Sequence, residues 1–229
     1  MKEIVPIAHI RSDFPTKFGI PRQSGLAPNV RSTIIFEPTF RQAEALRGLE
    51  NFSHIWLIWG FSENENAPWS PTVRPPRLGG NVRMGVFATR STFRPNGLAL
   101  SSVRLLSVEK TQEYGSVLIV TGADLMDGTP IYDIKPYLTT TDCHPDAMNG
   151  FVENTEDYRL PVQIAPALLS GWSREEEENL RDILSQDPRP AYHHDPSRIY
   201  GFEYAGCEIK FQVTNHQLVV KQIDKKSEK

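Results

Sequence analysis

Short runs of β-branched and aromatic residues, each ended by proline, glycine, asparagine or aspartate, fill the first 140 residues of this chain. Such punctuation leaves room for many short strands and few helices. The runs lie at 4–10 (IVPIAHI), 32–36 (STIIF), 54–60 (HIWLIWG), 84–88 (MGVFA), 98–108, 116–125 and 131–134. One helix is expected among them, over 39–49. There apolar residues recur at 40, 43, 46 and 49, Thr39 can cap the start, and Gly48 lies near the end. The alternation of long helices with strands that a doubly wound sheet requires is missing. The expected fold is therefore mainly β, a closed or nearly closed β-barrel.

The polar stretch at 142–154 (DCHPDAMNGFVEN) marks a boundary. It divides the chain into a barrel domain, 1–143, and a smaller α+β C-terminal domain, 144–229. In the second, 159–164 reads as a strand. Residues 173–186 read as a helix with a capping box of Ser173 and Glu176, acids at 175–178 near the positive end of its dipole, and an apolar stripe of Leu180, Ile183 and Leu184. Pro188 stops it. A closing hairpin is expected from 207–213 and 217–223, followed by a charged, disordered tail at 224–229.

The charge is divided unevenly over the 229 residues. Residues 1–110 carry 14 Lys and Arg against 8 Asp and Glu, while 111–229 carry 11 against 20. The net −3 thus splits into +6 and −9. Within 66–108 there are six arginines (74, 77, 83, 90, 94, 104) and no lysine, aspartate or glutamate. An uncompensated guanidinium field calls for an anionic or strongly polar partner, because the flat fork of Arg matches phosphate, carboxylate and nucleobase edges. The prolines and glycines between these arginines describe a shaped loop.

Several classes of chemistry lack their signatures. There is no GxGxxG and no GxxxxGK[ST], and Gly79-Gly80 alone reads as a turn. No GxSxG elbow appears. His144, His193, His194, His216 and the two cysteines, Cys143 and Cys207, lack metal-ligand spacing, so no metal is expected. The widely spaced cysteines suit a reducing compartment. No signal peptide or membrane-length apolar run is present, and a cytoplasmic protein without membrane contact is expected.

Two further segments carry possible chemistry. Asp127-Gly128-Thr129-Pro130 has the form of a hairpin turn. After it, Asp133, Lys135 and Tyr137 share one face of a strand. They could form a proton-handling group or an ordinary ion pair, and spacing does not choose between the two. Pro21-Arg22-Gln23 would suit a carboxylate or base edge but says little in isolation.

Taken together, PRQ at 21–23, RGLENFSHIWLI at 47–58, TVRPPRLGGNVRMGVFATRSTFRPN at 72–96, DGTPIYDIKPY at 127–137 and QDPRPAY at 186–192 resemble the bacterial tRNA (N6-threonylcarbamoyladenosine) N6-methyltransferases. The resemblance runs over nearly the whole chain. It implies a homodimer that uses S-adenosylmethionine on an unusual β-barrel, with the cofactor at the barrel edge near the dimer interface. The implied substrate is threonylcarbamoyladenosine, 3′ of the anticodon in the tRNA anticodon loop. By motif, cofactor contacts would come from Pro21, Arg22, Gln23, Ser62, Glu63, Arg90, Leu100, Asp127, Gly128, Thr129 and Pro130. Arg94, Asp133, Lys135 and Tyr137 would line the reacting side, and the C-terminal domain would contribute to tRNA binding. The sequence departs from the family after FRPN, with Gly97-Leu98-Ala99 where Pro-Ile-Gly is usual.

The acceptor nitrogen in such a substrate is urea-like and must lose a proton. The expected base is Asp133, or Tyr137 tuned by Lys135. Arg90 or Arg94 would bind the threonyl carboxylate or a phosphate. Two alternatives stay open on sequence: a non-catalytic RNA- or anion-binding barrel, and a methyltransferase acting on another small acceptor.

Overall fold

The computed structural model describes residues 3–64, 68–75, 78, 81–153, 158–190 and 195–226. Its strands are β1 (Ala8–Arg11), β2 (Arg31–Phe36), β3 (His54–Gly60), β4 (Thr72–Val73), β5 (Met84–Gly85), β6 (Leu98–Thr111), β7 (Gly115–Thr121) and β8 (Pro130–Pro136). β9 (Val162–Gln163), β10 (Ile199–Tyr204), β11 (Cys207–Thr214) and β12 (Gln217–Lys225) follow. The one substantial helix is α2 (Arg174–Ser185); α1 is the single turn Thr139–Asp142.

The protein is mainly β. Six strands pair in the order β1-β2-β7-β6-β3-β8, and β8 returns to β1 through Ala8↔Ile131, so the pairing circuit closes. Alternate side chains fill its interior: Ile10, Ile34, Ile55, Leu57, Leu118 and Ile131 are fully buried. Each contributes about 1.5–3 kcal/mol of apolar burial. The opposite face stays largely open on β3, β6 and β8, where it can carry function, whereas Ile35, Val117 and Thr121 bury it on β2 and β7.

The predicted helix over 39–49 does not form. Isolated 3-10 turns stand there at Pro38–Phe40, Ala43–Leu46 and Leu49–Asn51. Extended backbone at Gln42 (ψ 120°) and Arg47 (ψ 123°), then Gly48 at φ 88°, breaks the helical path. Leu46 and Leu49 still pack on the barrel core, so the apolar spacing was real and its period misleading. Other runs are trimmed. Strand structure starts at 8, leaving Ile4 and Val5 about half exposed. Residues 86–88 form a 3-10 turn after a two-residue strand. Gly122, at φ 76°, ends β7 before 125. The 127–130 turn is not a hairpin, because β7 pairs with β2 and β6 while β8 pairs with β1 and β3.

A second sheet, ordered β10-β11-β12-β9, packs with α2 around a separate core. β10 was not foreseen. Residues 224–225, expected in a disordered tail, belong to β12 and pair with 207–208; 227–229 lie outside the described residues. α2 begins as predicted. Ser173 Oγ accepts the Glu176 N–H (3.2 Å), and Glu176 Oε2 accepts the Ser173 N–H (2.7 Å). Ser173→Ala is expected to cost about 1 kcal/mol, a fall of roughly 2–4 °C in melting temperature by calorimetry. The Ser173 backbone and hydroxyl bonds hold the Glu176 carboxyl below the usual glutamate range. Its share of the cap is therefore complete above that range and fades as pH drops through the lowered value.

The second core also recruits the N-terminal part of the chain. After β1 the chain leaves the barrel, and Phe14, Ala27 and Val30 bury themselves among Tyr200, Phe202, Tyr204 and Phe211. Phe14 lies 5.4 Å from Tyr204, ring to ring. Gly19 lies so close to Phe202 that a Cβ on it would stand 2.2 Å from Cδ2. The chain then returns to the barrel as β2, held on the way by Gly25 N–H donating to the Gly122 carbonyl (2.8 Å).

Candidate active site

β6, β3 and β8 lie side by side, and their register aligns three rows of outward side chains. Leu100 pairs with Ile58, and Ile58 with Asp133. Ser102 pairs with Trp56, and Trp56 with Lys135. Arg104 pairs with His54, whose carbonyl accepts the Tyr137 N–H (3.0 Å). Four predicted site residues, Leu100, Asp133, Lys135 and Tyr137, thus share one outer plate of the barrel. Leu100 is 53% exposed there. A shallow cleft of about 640 Å³ opens on this plate, lined by Ser24, His54, Trp56, Arg90, Leu100, Ser102 and Tyr137 among others.

Asp133 and Lys135 pair with each other along their strand at 2.9 Å, and both stay substantially exposed. Asp133 also accepts the Ile134 N–H. Tyr137 packs against Trp56, 5.4 Å between centroids, and against His54. Partial burial, the Cys143 thiol and the Asp142 charge push its phenol above the usual tyrosine range, so it stays protonated near neutrality. Asp142 is held below the usual carboxylate range by the Leu138 N–H and the Trp56 indole.

A larger cleft, about 1400 Å³, adjoins the first. Its described lining contains five arginines (22, 74, 83, 90, 189), no aspartate or glutamate, and the phenyl rings of Phe87, Phe93 and Phe151. Phe87 is 74% exposed. Arg90 borders both clefts and donates through Nη1 to Gln23 Oε1. Arg22 donates to the Asp187 carbonyl (2.8 Å), and Asp187 in turn holds Arg189 bidentately at 2.7 and 2.8 Å. The 21–23 loop is thereby tied to the 186–190 segment that sequence alone left separate. Arg77, Gly79-Gly80 and His193-His194 lie outside the described residues.

The remaining predicted residues fall elsewhere. Arg94 donates to the Val86 (3.2 Å) and Thr89 (2.7 Å) carbonyls and lies over Phe87, so its fork shapes the arginine loop. Gly97 takes φ 58°, which explains why glycine stands at the point of departure from the family pattern. Pro21 is buried, while its neighbours Arg22 and Gln23 are more exposed. Ser62 and Glu63 form an exposed 3-10 turn after β3 and line neither cleft. The 127–130 turn also lines neither. Asp127 accepts the Ser12 N–H (2.9 Å), and Gly128 N–H donates to the Ile10 carbonyl (2.8 Å), which fastens the turn to β1.

Sequence reasoning missed one part-buried acid at this junction, Asp124. It accepts from Ser101 Oγ at 2.6 Å. Burial pushes its carboxyl above the usual range, opposed by the Ser101 hydroxyl, the backbone N–H groups of Asp124 and Ser24, and the Arg90 charge. No motif surrounds it; only the fold brings its partners together. Among the described residues no cluster of three or more His, Cys, Asp or Glu could hold a metal. None of the described helices is long and apolar enough to cross a membrane.

An acid-free, arginine-lined cleft joined to a smaller one of mixed apolar and hydroxyl character suits a protein that handles a polyanion and a small molecule side by side. Comparison with known proteins gives that class a family. Residues 9–143 match the tRNA-methyltransferase O N-terminal domain, and 157–226 match the TrmO C-terminal domain. The chain belongs to the TrmO family. It is 40% identical over 218 residues, 91% of this chain and 92% of the relative, to the tRNA (adenine(37)-N6)-methyltransferase of Escherichia coli K12. It is 39% identical, over 94% of each chain, to a Pseudomonas aeruginosa PAO1 relative, RcsF, whose name points to S-adenosylmethionine-dependent methyl transfer. The crystal structure of TrmO from P. aeruginosa superposes with a TM-score of 0.80 at 35% identity, covering 99% of this chain and 98% of that one.

Proposed function

We propose that this protein transfers a methyl group from S-adenosylmethionine to N6 of adenosine 37 in tRNA, in its threonylcarbamoyl-modified form. The observation that carries this reading is the position of Arg90 on the wall common to both clefts. The smaller cleft has the volume of a small-molecule site, and its mainly polar lining of hydroxyls and the Arg90 guanidinium around Trp56 and Leu100 fits the cofactor. Arg90, Ser102, Trp56 and Leu100 would hold it, with Gln23 and Ser24 closing one side; bound there, it supplies the methyl group. The larger cleft would take the anticodon loop, its arginines meeting phosphates and its exposed phenyl rings stacking on bases. The strand circuit then serves as a cofactor-binding β-barrel, and the C-terminal unit as part of the tRNA surface.

Transfer of this kind depends on holding donor and acceptor in line. A guanidinium at the cleft junction suits the threonyl carboxylate, which unmodified adenosine lacks. Asp133, paired with Lys135 on the plate beside the smaller cleft, is the assigned base, and Tyr137, which lines that cleft and is kept protonated, donates a hydrogen bond. Exposed Leu100 and Leu138 on the plate support a homodimer in which a second copy covers it. The site of action is the cytoplasm. The test is mass spectrometry of tRNA nucleosides from cells lacking the protein. Loss of the methylated threonylcarbamoyladenosine, restored on complementation, is expected; its persistence refutes the function.

A further inference from the structure

Behind the cleft junction, a hydrogen-bond chain runs from the barrel interior to the cofactor-facing loop. Trp59 Nε1 donates to Ser101 Oγ (3.0 Å), and Ser101 Oγ lies 2.6 Å from Asp124 Oδ1. An indole N–H can only donate, so the Ser101 oxygen accepts there and its one proton is committed to Asp124. Ser101 and Trp59 are buried, which fixes both members of the chain. The Ser24 backbone N–H also donates to Asp124, and the charged group facing the carboxylate is Arg90. One residue further on, Gly25 bonds to the Gly122 carbonyl at the bend that brings Asp124 into place.

We propose that Asp124 is a positioning residue: its carboxylate holds the 21–24 loop and the guanidinium of Arg90 in the arrangement that receives the cofactor. Three donors converge on it, so it must act as an acceptor. Its charge is what Gln23, the neutral partner of Arg90, cannot supply. Ser101 and the Ser24 amide do not titrate, which leaves Asp124 as the member whose charge changes with pH. Burial keeps its proton affinity above the ordinary aspartate range. The anion is therefore complete above that raised value. As pH falls through it, the carboxyl protonates and Arg90 loses its counter-charge. This assignment rests on the reading of Arg90 as a cofactor contact.

The test is calorimetric titration of the full-length protein with S-adenosylmethionine, from neutral pH into the acid range. Wild-type affinity is expected to fall with acid. Asp124→Asn is expected to bind roughly tenfold more weakly at neutral pH, the worth of one charge-assisted hydrogen bond, and to lose this pH dependence. Ser101→Ala keeps the carboxylate but removes a bond that lowers its pKa, so its midpoint should move to higher pH. A residue with a merely structural role would produce no such movement. Wild-type affinity in Asp124→Asn across the range, or an unmoved Ser101→Ala midpoint, overturns the proposal alone. If Asp124→Asn does not fold, the Ser101→Ala midpoint decides. Wild-type protein that gives no heat with S-adenosylmethionine overturns the cofactor reading, and this proposal with it.

Discussion

Arg90→Ala is expected to lower kcat/KM for methylation of modified tRNA by roughly 100- to 1000-fold, the cost of removing a preorganised charged donor from a reacting site. The side chain is exposed and no apolar core depends on it, so the melting temperature should hardly change. Its effect is large because the residue is shared. It borders both clefts, is fixed by Gln23, and faces Asp124. Arg90→Lys should recover only part of the loss, since an ammonium restores charge without the planar fork. Steady-state kinetics that place Arg90→Ala within a few-fold of wild type would move the meeting point of the substrates elsewhere.

The second large effect concerns stability. Gly19→Ala is expected to destabilise the fold by about 3 kcal/mol, combining overpacking with a backbone conformation that L residues avoid. Gly19 sits at φ 96°, and the new Cβ would meet three atoms of the Phe202 ring at 2.2–2.9 Å. At roughly 2–4 °C per kcal/mol for a chain of this size, thermal melting should fall by about 10 °C. Pairing it with Phe202→Leu should recover part of the loss, a coupling that a double-mutant cycle would measure. Additive losses would mean that strain at the backbone, rather than contact with the ring, sets the cost.

Legibility in the sequence followed the range of the interactions involved. β3 was found at its true bounds because five consecutive apolar and aromatic residues, 55–59, flanked by His54 and Gly60, admit few other folds. The capping box of α2 and the β11–β12 hairpin were likewise local. β10 was missed although Tyr200, Phe202 and Tyr204 alternate as a strand should. The 39–49 segment failed for the opposite reason, an apolar spacing that suits a helix on a backbone that unwinds at Gln42 and Arg47. In the site, the shared face of Asp133, Lys135 and Tyr137 was readable from a period of two. The junction at Arg90 was less so, because Gln23, Leu100 and Asp124 reach it only through long-range pairing. Asp124 could have been suspected only as a lone acid bounded by apolar residues.

The excursion of the N-terminal segment into the second core has a consequence for biosynthesis. Phe14 leaves the ribosome early, whereas its ring partner Tyr204 is made about 190 residues later. At typical elongation rates of about 5–20 residues per second, that interval is roughly ten to forty seconds. During it the barrel strands can already pair, yet Phe14, Ala27 and Val30 have nothing to cover them. The nascent protein thus carries an uncovered apolar loop, running through Arg22 and Gln23, until its last hairpin arrives. Translation itself orders the assembly, so that the 21–24 loop is set only once nearly the whole chain has been made.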